Sequence, residues 1–162
     1  MANQVNIAGL AAIKVDTGAA RALELLGYTR DGAQITFDGF FHDVPTDENG
    51  GESGPPTDVQ YMGETAKITL RMSKYDPVIA DKVASRVYGT SAGTVAAAGT
   101  LMIGGGFTYR LLIHSPTLPF NFLVVIFREA IEINKGTKFS EFLLVGTAYK
   151  NASNVLYNAV VA

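Results

Sequence analysis

The chain contains no cysteine, which excludes disulfides, thiol nucleophiles and thiolate metal sites together and leaves the redox compartment unmarked. Histidine is nearly as scarce. His42 and His114 are the only two, they lie in different segments, and no serine or carboxylate is spaced to complete an evident triad with either. Charge is also in short supply: Asp, Glu, Lys and Arg make up 17% of the residues, where roughly 25% is typical of soluble domains. A surface so poor in charge is expected to be covered in large part by other protein. The formal net charge of −2 and the absence of a Lys/Arg run provide no electrostatic footprint for nucleic acid or an acidic membrane. Long apolar runs are missing too. Phe122 to Phe127 is the most apolar stretch and falls far short of the roughly 20 residues that span a bilayer. No basic segment followed by an apolar one opens the chain at Met1, so it is expected to be intracellular when made.

What the chain does have is β pattern. Its 162 residues, 48% of them hydrophobic, suit one domain covering 1–162 with a real core. Val5 to Val15 reads as a strand interrupted at Gly9, Arg21 to Leu26 as a short helical turn closed by Gly27, and Asp31-Gly32 as a turn. From Gln34 the chain alternates. Ile35, Phe37 and Phe41 fall on one face and Gln34, Thr36 and Asp38 on the other. The alternation resumes with Ala66, Ile68, Leu70 and Met72 against Lys67, Thr69 and Arg71, after a phase change at Met62-Gly63 where a bulge fits. These two strands are expected to form a hairpin with one core face and one polar face.

Between them runs a segment from Asp43 to Asp58 that is too polar and too rich in glycine and proline to bury itself. A connection longer than about 12 residues in a small domain is usually functional or disordered. Held at both ends by patterned strands, this one reads as a projecting arm, with Asp43, Asp47, Glu48, Asn49, Glu52, Pro55 and Pro56 as candidate contact residues.

Asp76-Pro77 begins the clearest helix, expected over Asp76 to Tyr88, with Asp76 as N-cap, Pro77 at the first position and Gly89 beyond the end. Ile79, Val83 and Val87 form its apolar stripe. Gly89 to Gly99 reads as a small-residue linker. The remainder is read as strands at Leu101–Ile103, Phe107–Ile113, Phe122–Ile133 and Phe142–Tyr149, punctuated by Gly and Pro. The sum is a mainly β fold, a β-sandwich or small barrel with one packed α-helix and a long hairpin arm.

Four motifs invite a chemical reading. Asp16-Thr17-Gly18-Ala19 looks like the aspartic-protease signature and follows a strand, but no second apolar-apolar-glycine turn precedes a C-terminal helix, and a cap is the blander role for Asp16. Gly104-Gly105-Gly106 lacks the Lys-Ser/Thr pair of a phosphate loop, and Gly136-Thr137-Lys138 lacks its upstream glycine spacing. Asp43, Asp47 and Glu52 lack the order of an EF-hand. No catalytic residue, metal site or cofactor site is expected.

Taken in order, the short opening strands, the polar arm, the run Asp58-Val-Gln-Tyr-Met-Gly-Glu-Thr-Ala-Lys-Ile-Thr-Leu leading to a helix, Lys135-Gly-Thr-Lys-Phe-Ser-Glu, Ala148-Tyr-Lys and Val155-Leu-Tyr-Asn resemble a tail tube (major tail) protein of tailed bacteriophages. The resemblance covers most of the chain. It implies a structural virion protein of the phage tail, assembled in the host cytoplasm, whose β-sandwich subunits form hexameric rings that stack into a hollow tube for DNA passage. It further implies that the arm contacts an adjacent ring. The partners it implies are other copies of the chain and sheath, tape-measure, baseplate and terminator proteins, with DNA only in passage and no membrane. Gln34, Thr36, Asp38, Lys67, Thr69 and Arg71 are then candidates for the lumen face, with Asp38 partly neutralised by a cross-strand cation. A capsid decoration or head-completion protein and, more remotely, an aspartic protease acting through Asp16 are the alternative readings.

Overall fold

A computed structural model describes residues 11–17, 22–89, 93–115, 119–134 and 141–159. Eight strands and one helix follow in chain order: β1 (Ala12–Asp16), β2 (Leu23–Val44), β3 (Asp58–Tyr75), α1 (Pro77–Ala84), β4 (Tyr109–His114), β5 (Phe120–Ile126), β6 (Glu132–Asn134), β7 (Glu141–Tyr149) and β8 (Tyr157–Asn158). All pair antiparallel in one sheet. Neighbours run β7-β3-β2-β1-β4-β5, and β5 pairs back onto β7 through Val124↔Tyr149, Val125↔Ala148 and Ile126↔Thr147. The sheet therefore closes on itself. Of the two architectures open from the sequence, the small barrel is the one found, with β6 and β8 as short additions at the β5/β7 seam.

Closure explains the core. Ile13 and Val15 of β1, Ile68 and Leu70 of β3, Leu111 of β4, Phe122 of β5 and Phe142 of β7 are buried inside the barrel, each on the inward phase of a period-two strand. Helix α1 packs at the end of the barrel where β3 finishes. The Asp76 carboxylate accepts hydrogen bonds from the Val78 and Ile79 N–H groups, so the predicted cap is the observed one. Ile79, Val83 and Val87 are buried as expected. The helix stops at Ala84 rather than running to Tyr88, because Arg86 takes a left-handed φ of 60° and Val87 is buried from an extension rather than a helical turn. The Tyr109 hydroxyl donates to the Lys82 carbonyl at 3.2 Å and ties the helix to β4.

Other expectations are overturned, among them the single strand Phe122 to Ile133, which is β5 and β6 with a break after Ile126. The helical turn at Arg21 to Leu26 is strand from Leu23 onward; Arg21 itself lies outside the described residues. A segment this short holds too few internal hydrogen bonds to compete with the ladder that Leu23, Glu24 and Leu25 form with β1. At Gly27 a Cβ would collide with the Lys74 carbonyl, so glycine here serves strand approach and not a helix end. Leu101 to Ile103 is not a strand either: Leu101, Met102 and Ile103 carbonyls accept from Gly105, Phe107 and Gly106 N–H groups in a compact turn.

Asp31-Gly32 does not reverse the chain. The register with β3 passes from Thr29↔Met72 to Ala33↔Leu70, so Arg30, Asp31 and Gly32 bulge out of one continuous strand. The bulge expected at Met62-Gly63 is present: Phe40 pairs with Gly63 and Phe41 with Tyr61, and Gly63 has φ 122°.

Candidate assembly surface

Strands β2 and β3 are far longer than the barrel needs. β2 pairs with β1 only through Leu23–Asp16 to Tyr28–Ala12, and β3 pairs with β7 only through Ala66–Met72. Beyond Phe37↔Ala66 the two strands continue to Val44↔Asp58 with no other neighbour among the described residues. Seven further residues of β2 at about 3.3 Å each carry this two-stranded ribbon about 23 Å from the barrel. A lone hairpin is marginal in water, and this one is anchored at its root. Phe37 packs on Tyr157 of β8 at 5.7 Å between ring centroids, and Tyr157 in turn packs on Phe120 at 5.1 Å and Phe122 at 5.8 Å.

The predicted arm is the tip of this ribbon. It folds as two 3-10 turns, Asp47–Asn49 and Gly51–Ser53, joined at Gly50 with φ 92°. The Thr46 carbonyl accepts from Gly51, and the Val44 carbonyl accepts from both the N–H and the hydroxyl of Thr57 at 3.0 Å. Asp43, Asp47, Glu48, Glu52, Pro55 and Pro56 are all exposed. The structure brings Asp43 and Glu52 to one shallow hollow that is also lined by His42, Pro45 and Pro56.

The polar face is assembled as its alternation requires. Gln34 stands across from Thr69 and Thr36 across from Lys67 in the barrel wall, with Asp38 across from Thr65 where the ribbon begins. Arg71 lies at the other end of the row, opposite Leu143 of β7 and beside the bulge. The Lys67 ammonium pairs with the Glu129 carboxylate at 2.7 Å, so this cation is engaged by the β5–β6 connection and not by Asp38.

The stem of the arm is where the sequence reading falls short. Alternation puts Phe41 on the face expected to be core, yet it is 64% exposed, and Phe40, Val59, Tyr61 and Met62 are at least half exposed with it. Phe41 and Tyr61 face each other across the ladder with centroids 5.6 Å apart. Desolvation, followed by the charge and hydrogen bond of the Glu64 carboxylate, raises the Tyr61 phenol above its ordinary pKa. The signal was available in the sequence. Phe40 and Phe41 are adjacent, so they point to opposite faces of a strand and cannot both enter one core.

The remaining candidate sites have structural geometry. Asp16 is 0% exposed at the end of β1 and its Oδ1 accepts the Arg110 N–H of β4 at 2.6 Å. The Thr17 hydroxyl donates to the Glu24 carboxylate, and Gly18 lies outside the described residues. His42 is exposed on the ribbon and His114 at the end of β4. Among the described residues no cluster of three or more His, Cys, Asp or Glu side chains is placed to hold a metal ion, and no helix is long and apolar enough to cross a membrane.

No protein-family model matches the chain, and no curated protein does. Its fold does match solved structures. One is a chain of the virion of a native gene transfer agent particle, 13% identical, with a TM-score of 0.53 over 92% of this chain and 95% of that one. Another is a chain of the tail of an empty gene transfer agent particle refined helically with C6 symmetry, 12% identical, with a TM-score of 0.53 over 93% and 96%. At such identity the likeness is one of fold, and it spans nearly the whole of each chain: this protein has the mainly β fold of subunits found in gene transfer agent particles.

Proposed function

We propose that the chain is a structural protein of a phage-like virion tail, a tube subunit that forms hexameric rings which stack around a channel for DNA. The observation that carries this reading is the ribbon. Barrel closure pairs β5 with β7, whereas beyond Phe37↔Ala66 the ribbon strands have only each other among the described residues, which leaves their outer N–H and C=O groups unpaired by a strand, and the ribbon also bears five exposed apolar side chains. Both features are templates for another protein surface. The fold likeness to a chain in a C6-symmetric tail supports six copies as the closed ring, because a heterologous contact that closes gives a ring and one that does not gives a filament.

In this reading the ribbon makes contact between rings, the polar row from Gln34 to Arg71 faces water, and the chain's partners are its own copies, followed by sheath, tape-measure, baseplate and terminator proteins at the tube's outside and ends. The protein performs no catalysis. Asp16, the one residue with an enzymatic signature, is sealed from solvent with an oxygen bound to the main chain. Light scattering and negative-stain microscopy of the purified protein test the proposal. Masses at multiples of six 17.2 kDa chains, with rings or tubes in the images, are expected; a monomer at high concentration under every salt condition would overturn it.

A further inference from the structure

The long hairpin has two ends, and they are complementary. Between residues 32 and 66 the chain has seven acidic residues (Asp38, Asp43, Asp47, Glu48, Glu52, Asp58 and Glu64) and not one Lys or Arg. Subtracting that −7 from the chain's net −2 leaves the remainder at +5. The ribbon is thus an acidic strap with exposed aromatics on its stem, attached to a body of opposite sign.

At the other end of the same hairpin, where β2 begins and β3 passes into α1, an open hollow is lined by Leu25, Tyr28, Lys74, Tyr75 and Ile79. Leu25 is 40% exposed there, and Val78 of the first helical turn is exposed close by. Two lysines flank it: Lys14 stands across the ladder from Leu25 and Lys74 across from Tyr28. The ion pairs seen among the described residues engage Arg30 and Lys67 and neither of these. Of the carboxylates close to it, Asp76 is occupied in capping α1, and Glu24, one ladder position from Lys14, accepts from the Thr17 hydroxyl.

We infer that this basal hollow receives the ribbon of a second copy of the chain, with the Phe41/Tyr61 pair covering Leu25 and Tyr28 and the ribbon's acids meeting Lys14 and Lys74. The inference rests on the tube reading and names the receiving surface in it. Direction follows from topology: the donor surface and the acceptor surface sit at opposite ends of one hairpin, so copies joined this way align head to tail and the contact propagates instead of closing. Opposite charge at its rim steers encounter and fixes register, while the apolar centre supplies the burial.

A chain without cysteine makes the test direct, since only introduced thiols can cross-link. Phe41→Cys with Leu25→Cys in one chain, oxidised after assembly, is expected to give a covalent ladder well beyond dimer on a denaturing gel, and each single variant at most a dimer. The control pairs Phe41→Cys with Leu101→Cys, which sits in the other exposed apolar loop. In parallel, Lys14→Glu with Lys74→Glu is expected to abolish stacking of folded subunits, and Asp43→Lys with Glu52→Lys in that background to restore it. Tubes that form with no Leu25 ladder, a ladder through Leu101 instead, or stacking unchanged by the lysine reversal would overturn the contact alone. Failure of the parent chain to assemble at all would overturn the contact together with the tube reading.

Discussion

The two halves of the β2–β3 hairpin have similar residues and opposite fates. In the barrel half, Ile68, Leu70 and Met72 alternate with polar residues and are buried; in the ribbon half, Val59, Tyr61 and Met62 are equally apolar and lie open to solvent. What differs is the number of neighbouring strands. β3 has β2 on one side and β7 on the other as far as Ala66, and β2 alone beyond it. Burial of a large apolar side chain is worth about 1.5–3 kcal/mol. The barrel half has already realised that free energy in the fold, whereas the ribbon half retains it for contact with another molecule.

The sharpest way to break this contrast is to place one charge in each half. Val83→Asp puts an unpaired carboxylate at a fully buried position under α1 and is expected to cost several kcal/mol, enough to leave the subunit unfolded or nearly so. Phe41→Asp, at a residue 64% exposed, should leave the melting temperature within a degree or two. Thermal melts followed by circular dichroism read both. Equal losses would mean that the ribbon belongs to the folded core after all.

Asp16 sharpens the comparison from within the barrel. Asp16→Ala leaves the partly buried Arg110 N–H without this acceptor, a loss of about 1–3 kcal/mol, while Asp16→Asn retains an oxygen there and should cost less. Neither should remove a peptidase activity, because none is expected in the parent protein. Peptide turnover that co-purifies with the chain and vanishes in Asp16→Asn would restore the enzymatic reading.

Tyr109 gives a smaller, pH-dependent effect. Burial is the main cause that pushes its phenol up to about 12, with the Asp16 charge adding to it and a Ser85 hydrogen bond opposing it. The folded phenol keeps its proton to higher pH than an unfolded one near 10. Its contribution is therefore fully present below pH 10 and is lost as pH rises through 12. Tyr109→Phe should flatten the fall in stability over that window and, at neutral pH, cost about 1 kcal/mol for the lost bond to the Lys82 carbonyl. Denaturant melts at pH 7, 10 and 11.5 measure both.

The sequence was most legible where local chemistry and tertiary context agree. Asp76-Pro77 caps a helix on either ground, and the phase change at Met62-Gly63 becomes a bulge because glycine supplies the positive φ. It was least legible where neighbours decide. Residues 23–26 have helical propensity but are strand because β1 pairs along them. Leu101 to Ile103 has strand composition but turns, its carbonyls taken by the N–H groups of Gly105, Phe107 and Gly106 just downstream. The candidate surface was half legible: glycine, proline and acids marked the tip, but the apolar stem matches ordinary core pattern, and nothing local states that β7 ends opposite Ala66.

The smallest expected effect on the subunit, and the most telling for the contrast, comes from shortening the ribbon. Replacing Asp47 to Gly54 by Asn-Gly removes both 3-10 turns and keeps the Thr57–Val44 closure, and an Asn-Gly turn suits antiparallel strands. The deleted residues take no part in the barrel core, and a shorter loop changes closure entropy by only about half a kcal/mol. Melting should therefore hardly move. Assembly should move greatly, because three of the ribbon's seven acids, Asp47, Glu48 and Glu52, go with the tip. Circular dichroism, melting and microscopy on this one variant are expected to show a native subunit and no long tubes. Tubes of normal length would remove the tip from the contact and leave only the Phe41/Tyr61 stem to make it, while an unfolded subunit would show that ribbon and barrel fold as one unit.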